Sequence, residues 1–355
     1  MSSSKNVSTC PTQKALAGRQ RVNVSKFRKM LLYTLHVTLY TVLLCGCSQP
    51  PYKETRMMMG TFVEITIRAD GTKAREAAGK AFDRIAGIEK TLSVFDPGSE
   101  ASVLNRTGTI KDPSPEFMEV MKEAVKAGDA TEGAFDVTVA PVVSLWGFGP
   151  VSNVAQGFSP ANGRHALPSE KQIKKALELV GYKNIIIDEK NNLIYFRKKG
   201  VQVNLGGIAK GFAVGKAAEV LKKEGIRKAI VKAGGDLYAM GTAWRIGIKN
   251  PRKEGILKTL TVKDRTVTTS GDYERFFMGF QEGKQKRFHH IFDPRTGYPA
   301  EGVISATVIA EDSMAADWLS TSMFVLGPEK GLALLKKMKA RGVIITSDEQ
   351  ILATE

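Results

Sequence analysis

Asp317 and Thr321 stand four residues apart in the run "ADWLST", and on a helix that spacing places a carboxylate and a hydroxyl on one face. One carboxylate and one hydroxyl are too sparse for a Ca²⁺ cage. They suit Mg²⁺, which takes one or two protein oxygens and completes its shell with phosphates and water. The plainer reading is a threonine that bonds back to its own helix. A second candidate is "NLGGIAKG", residues 204–211, set between a β-patterned run and a helical one. Gly206 and Gly207 leave room for close backbone approach, and Lys210 adds a cation. A helix opening near Ala209 would aim amide hydrogens and its positive dipole end at an anion. The loop is neither G-x-x-x-x-G-K-[ST] nor G-x-G-x-x-G, and a Gly-Gly turn also has a purely structural reading.

"HHIFDPRTGYP", residues 289–299, supplies a third candidate. Adjacent histidines on a strand point to opposite faces, so one of them at most faces a site on a given side. The turns at Asp293-Pro294 and Thr296-Gly297 place the pair at a strand end; packing or plain surface exposure is the rival reading. Beyond the leader the only other histidine is His165, in a polar loop, so no multi-histidine zinc site can be assembled. A fourth stretch, "GAFDVTVAPVVSLWGFG", sets Asp136 among Phe135, Trp146 and Phe148. That aromatic spacing is normal for a core and would also suit a flat heterocycle.

The elements that must position these residues follow from periodicity. "GTFVEITIRA" alternates with period two and predicts a strand; residues 73–92, 114–131 and 168–181 have helical spacing. Residues 184–199 read as a hairpin turning at Lys190–Asn192. Residues 201–225 read as strand, loop and helix. Strands follow over 228–241, 243–251, 255–271, 287–294 and 302–311, then helices over 313–327 and 328–342, each with a closing glycine, and a last strand at 343–347. Strands in hairpin-like pairs with irregularly interspersed helices predict an α+β fold with mainly antiparallel sheets rather than a doubly wound parallel one.

The 355 residues are 43% hydrophobic and 25% charged, a composition that folds. A net charge of +16 raises nucleic acid as a partner, but seven of the basic residues lie in residues 1–47 with no acid. The rest are spread over helix faces and no nucleic-acid-binding signature accompanies them, so no nucleic-acid partner is expected. "SKFRKM" followed by "LLYTLHVTLYTVLL" has the layout of a signal peptide, and it ends in Leu44-Cys45-Gly46-Cys47. That ending resembles a lipoprotein box with Cys47 as the lipidated residue, Cys45 being an unusual occupant of its position. The expectation is an exported, membrane-anchored lipoprotein on the periplasmic side, with a leader over 1–47, a linker over 48–56 and one domain over 57–355. All three cysteines precede residue 48, so the body has no disulfide framework.

Taken in order, "MGT" (59–61), "LSVFDPGSEASVLN" (92–105), "GAFDVTVAPVVSLWGFG", "VNLGGIAKGFAVG", "IVKAGGDLYAMG", "WRIGIKNPR", "VTTSGDYERFF", "HHIFDPRTGYP" and "ADWLSTSMFVLGPEKG" resemble the ApbE family of flavin transferases over about residues 57–345. The resemblance implies Mg²⁺-dependent transfer of FMN from FAD to a Thr or Ser hydroxyl of an acceptor protein, through a phosphoester and with release of AMP, on a T-fold-like architecture. It implies metal ligands at Asp317, Thr321 and the Ala209 carbonyl. FAD contacts are implied at Met59, Phe95, Ala134, Phe135, Asp136, Gly206, Lys210 and Ile291, and His290 as the proton acceptor. The same residues could serve an FAD pyrophosphatase or a flavin-binding lipoprotein without turnover. Three positions depart from the family pattern: Asn204 and Gly215 stand where Asp is common, and Lys232 where Asn is usual. Asn204 could weaken the metal site if that Asp supports it.

Overall fold

Val63, Ile65 and Ile67 alternate with more exposed neighbours, and in the computed structural model, which describes residues 50–150 and 167–354, all three are fully buried. They lie on β2 (Thr61–Ile67), paired antiparallel with β1 (Tyr52–Met58). Residues 52–56, expected to be linker, are therefore strand. An edge strand with much of its surface in water needs no apolar run, so the polar "YKETR" gave no sign of it. The leader, Cys47 and His165 lie outside the described residues.

Helix α1 (Gly71–Leu92) starts where Asp70 accepts the amides of Thr72 and Lys73; α2 (Glu100–Thr107) is capped by Ser99. After β3 (Thr109–Lys111), α3 (Pro115–Ala130) opens with Ser114 as cap and Pro115 in its first turn. Short α4 (Ala140–Leu145) and α5 (Glu170–Leu177) follow, the latter held by a capping box between Ser169 and Gln172. The hairpin of β4 (Ile185–Asp188) and β5 (Leu193–Phe196) forms as expected and leads to α6 (Ala209–Lys223). Residues 201–205 have the alternating burial of a strand, but no strand pairs with them: the Asn204 amide donates to the Val137 carbonyl at 2.7 Å, and a side chain serves Val203. Asn105 donates from Nδ2 to the Val203 carbonyl (2.9 Å) and accepts the Val203 amide at Oδ1 (2.6 Å), satisfying the groups that a neighbouring strand would otherwise pair.

The rest is strand-rich: β6 (Ala229–Ala233), β7 (Asp236–Met240), β8 (Trp244–Lys249), β9 (Ile256–Val262), β10 (Arg265–Gly271), β11 (Phe276–Gln281), β12 (Lys284–His289) and β13 (Val303–Ala310). Then come α7 (Ser313–Lys337), β14 (Arg341–Thr346) and β15 (Ile351–Ala353). The two helices expected over 313–342 run as one stretch broken at Gly327, whose φ of 79° precedes Pro328. Eight strands form one antiparallel sheet in the order β1-β2-β6-β7-β10-β13-β14-β15, with α1, α6 and α7 packed on it. The fold is α+β with antiparallel sheets. Trp244 and Val262 of the β8–β9 hairpin form a second core with Leu237, Ala239, Val267 and Ile309.

A third core settles the aromatic stretch. Trp146 stacks on Phe288 with ring centroids 5.4 Å apart and donates its indole N–H to the Gly297 carbonyl at 2.9 Å. Phe148 is buried with it against Phe277 and Phe292. These rings join α4 and α5 to the β11–β12 hairpin as packing. No helix of the described residues is long and apolar enough to cross a membrane.

Candidate functional site

α6 and α7 approach each other unusually closely because Gly211 lacks a side chain. A Cβ there would lie 2.2 Å from the Ser313 carbonyl oxygen and 2.7 Å from Asp317 Cβ. The approach lets Asp317 Oδ2 accept the Gly211 amide at 2.9 Å, so a carboxylate from one helix caps the first turn of the other. The Ile208 and Ala209 amides are bonded back to the Leu205 carbonyl. The amides expected to face an anion are thus partly used within the protein.

Lys210 does not reach into open solvent. Its Nζ lies 3.0 Å from Asp236 Oδ2 and 3.6 Å from Asp317 Oδ1, and donates to the Gly206 carbonyl at 3.1 Å. Burial favours the neutral amine, but the two carboxylates outweigh it and hold the ammonium charged. Burial and the charge of Asp236 push the Asp317 carboxyl up, opposed by Lys210 and the Gly211 amide. The Lys210 side chain keeps 26% exposure while both carboxylates are at 3% or less, so the cluster is the floor of a site. Asp236 is a residue that the sequence reading did not single out. It follows the Gly234-Gly235 turn; a Cβ on Gly235 would meet the Thr269 carbonyl at 2.5 Å, so only glycine lets this turn lie on β10.

With both carboxyls ionised, as a bound cation would require, two carboxylates against one lysine give the cluster net negative charge, and Asp236 Oδ1 is buried with no hydrogen-bond partner. Hydroxyls stand beside it. Ser320 Oγ donates to the Asp317 carbonyl (2.9 Å) and Ser322 Oγ to the Trp318 carbonyl (2.6 Å), while Thr321 Oγ1 meets Ser270 Oγ at 3.4 Å. Ser270, on β10, thus touches both Ser320 and Thr321 from outside their helix. Because the Ser320 proton is committed, Ser270 must donate in the 2.7 Å Ser270–Ser320 contact. Ser270 then accepts from Thr321, whose lone pairs are left free. A hard cation fits this donor set: carboxylate and hydroxyl oxygens around an uncompensated negative charge, with an unpartnered buried oxygen nearby.

The histidines divide as strand geometry predicts. His289 is buried; its Nε2 faces the Ala300 carbonyl at 2.9 Å and its Nδ1 accepts the Ile291 amide at 3.3 Å. Both nitrogens are occupied and burial pushes its pKa down, so it is a neutral structural residue. His290 lies just past β12, with its Nδ1 at 3.1 Å from the Arg275 carbonyl. A carbonyl only accepts, so Nδ1 carries the hydrogen and Nε2 the lone pair. Burial, helped by the positive charges of Arg275 and Lys210 and opposed by the hydrogen bond to the Arg275 carbonyl, pushes its pKa down to about 3.

The unfolded chain takes up protons at His289 near 6.5 while the folded chain does not, so acidification through that range favours unfolding. We expect the fall in Tm from pH 7 to pH 5 to shrink in His289→Gln, which keeps a donor for Ala300. Thermal melts of both proteins check this, and an unchanged pH dependence would refute it.

The ApbE family model matches residues 59–345. The chain belongs to the ApbE family. A FAD:protein FMN transferase of Klebsiella pneumoniae is 31% identical over 317 residues, covering 84% of this chain and 93% of that protein. One of Haemophilus influenzae is 33% identical over 309 residues, covering 80% and 85%. Among solved structures, the ApbE protein of Thermotoga maritima superposes with a TM-score of 0.77 at 34% identity, and the flavin transferase ApbE of Vibrio cholerae with 0.73 at 26%. Each spans 86% of this chain and 97% of its own.

The other residues expected at the site lie elsewhere around the cluster and the core. Ala209 opens α6, two residues before the amide that meets Asp317. Gly206 is exposed, and Asn204 Oδ1 accepts its amide at 2.9 Å, so Asn204 shapes the loop itself. Gly207 admits Thr321: a Cβ there would lie 3.1 Å from Thr321 Oγ1 and 3.2 Å from Phe135. Met59 sits in the β1–β2 turn with φ of 52°, its amide on Glu89 of α1, and Phe95 follows that helix with 57% of its surface exposed. Thr61, at the start of β2, packs on the Gly234-Gly235 turn that precedes Asp236: a Cβ on Gly234 would meet its Oγ1 at 2.9 Å. Ala134, Phe135 and Ile291 are core residues. Asp136 is spent on the fold: it accepts the Thr138 amide at 2.8 Å, the Thr138 hydroxyl at 2.5 Å and the Tyr182 amide at 2.7 Å. Its carboxylate is thus taken up within the fold. Gly215 faces Ser313, and Lys232 is exposed on β6 opposite Glu64.

Proposed function

We propose that the protein is a FAD:protein FMN transferase that moves FMN from FAD to a Ser or Thr hydroxyl of an acceptor protein. The acceptor oxygen attacks the FMN phosphorus, the phosphorus–oxygen bond to AMP breaks, and AMP leaves with that electron pair. The observation that carries the reading is the Lys210–Asp236–Asp317 cluster with Thr321 at its edge, an acidic oxygen-lined floor in a chain of this family. Asp317, Thr321 and the Ala209 carbonyl would hold Mg²⁺, which supplies charge neutralisation on the pyrophosphate. Lys210 holds a fixed positive charge at the loop, and His290 Nε2 takes the proton of the attacking hydroxyl. Because its Nδ1 is fixed by Arg275, the ring presents one nitrogen only. Phosphoryl transfer needs positioning and charge stabilisation more than covalent help, which this inventory supplies. The leader motif supports an exported protein anchored through lipid on Cys47.

Incubation with FAD, Mg²⁺ and an acceptor protein is the test. Flavin fluorescence that stays on the acceptor in a denaturing gel supports the transferase. FMN and AMP formed without labelling would mean a pyrophosphatase, and intact bound FAD a binding protein. We expect His290→Ala to slow transfer by about 10²–10⁴-fold while FAD still binds. Loss of FAD affinity in that variant, measured by fluorescence titration, would make His290 a flavin-contact residue instead.

A further inference from the structure

We propose that Asp236 is the positioning residue that keeps Lys210 off Asp317, leaving Asp317 free to take a divalent cation. The inference rests on the cation site read above. Lys210 Nζ has two carboxylates within reach and is nearer to Asp236, 3.0 Å against 3.6 Å. With Asp317 Oδ2 accepting the Gly211 amide, Oδ1 is the oxygen that both an ammonium and a divalent cation would claim, so an unrestrained Lys210 is an internal competitor of the metal. Asp236 removes the competitor. It is buried, it is fixed by the Gly234-Gly235 turn against β10, and it keeps Oδ1 unpartnered, a second seat that lets it hold the ammonium once a metal claims Asp317. The Gly206 carbonyl, 3.1 Å from Nζ, holds the lysine on that same side. The charge count of the ionised cluster agrees: with Asp236 the three side chains sum to one negative charge, and without it to zero.

The arrangement predicts a rescue that a merely structural aspartate would not show. Asp236→Asn leaves Lys210 with Asp317 as its sole carboxylate, so the lysine moves onto the metal ligand. Lys210→Met in that background removes the competitor and returns the cluster to one negative charge.

The test is Mn²⁺ binding by the full chain without flavin, followed by the electron paramagnetic resonance signal of free Mn²⁺, with folding checked by thermal melts. We expect Asp317→Ala to abolish binding, Asp236→Asn to raise Kd at least tenfold, and Asp236→Asn/Lys210→Met to return it to within about threefold of the unmodified protein. Binding that survives Asp317→Ala overturns the cation site itself. Binding that needs Asp317 but is unchanged by Asp236→Asn overturns this proposal alone. Binding lost in Asp236→Asn and not restored by Lys210→Met also overturns it, because Asp236 would then be a ligand or a fold residue. If Asp236→Asn does not fold, Lys210→Met alone decides. Affinity at least as high as in the unmodified protein supports competition, and loss of Mn²⁺ binding refutes it.

Discussion

Asp317→Ala is expected to lower transfer by about 10³-fold or more, corresponding to about 4 kcal/mol of lost transition-state stabilisation. The size follows from what the carboxylate does in three directions. It is the one acidic side chain beside Thr321 on α7, it lies 3.6 Å from Lys210, and it accepts the Gly211 amide at 2.9 Å. Its loss removes a charge from the cation site and also strips a cap from α6. The orphaned Gly211 amide costs about 1–3 kcal/mol of stability. Lys210 stays paired, because Asp236 remains, and this keeps the loss below that of an isolated buried charge. Activity alone would therefore confuse chemistry with folding. Asp317→Asn separates them: its amide oxygen can still accept the Gly211 amide, so Tm recovers, whereas the charge is gone and transfer stays low. Acceptor labelling measured beside thermal melts checks both. Wild-type turnover in Asp317→Ala would remove this residue from the mechanism.

How much of this was legible beforehand depends on the range of each interaction. The carboxylate–hydroxyl pair on α7 is a local, i to i+4 relation, and the sequence displays it directly. So are the caps of α1, α3 and α5 and the alternation of β2. What escaped reading is non-local. Asp236 matters because a turn tied to β10 brings it to Lys210, twenty-six positions earlier, and no spacing rule reports that. Ser270 is similar, since its importance rests on Ser320 having already committed its own proton. The 201–205 segment shows the converse: the alternation is there but no strand pairs with it, because Asn105 and the Val137 carbonyl take backbone groups that a strand would otherwise pair. Asp136 and the Trp146–Phe148 aromatics drew notice for their chemistry, yet the structure uses them to hold α4 and its neighbours in place.

Gly211→Ala is the second change expected to have a large effect, and it is the sharper probe of the close contact between α6 and α7. In most helices this substitution gains about 1 kcal/mol, because alanine forms helix better than glycine. Here the new Cβ would lie 2.2 Å from a backbone oxygen, that of Ser313, and 2.7 Å from Asp317 Cβ. Neither atom is the flexible end of a side chain, so the helices themselves must part. Overpacking of this kind costs about 1–3 kcal/mol. The displacement falls on Asp317 directly, and a shift of about 1 Å in a positioned group costs about 10²-fold in rate. We therefore expect a lower Tm together with a loss of transfer and of cation affinity. Gly215 supplies the control. One turn further along α6, its added Cβ would meet the Ser313 side chain at 3.3 Å and 3.4 Å, a contact that a small movement relieves. Gly215→Ala should keep near-normal activity with a Tm that is unchanged or raised. If the two variants behaved alike, the approach of α6 to α7 at Gly211 would not be what fixes Asp317, and the site would have to be held from the sheet side alone.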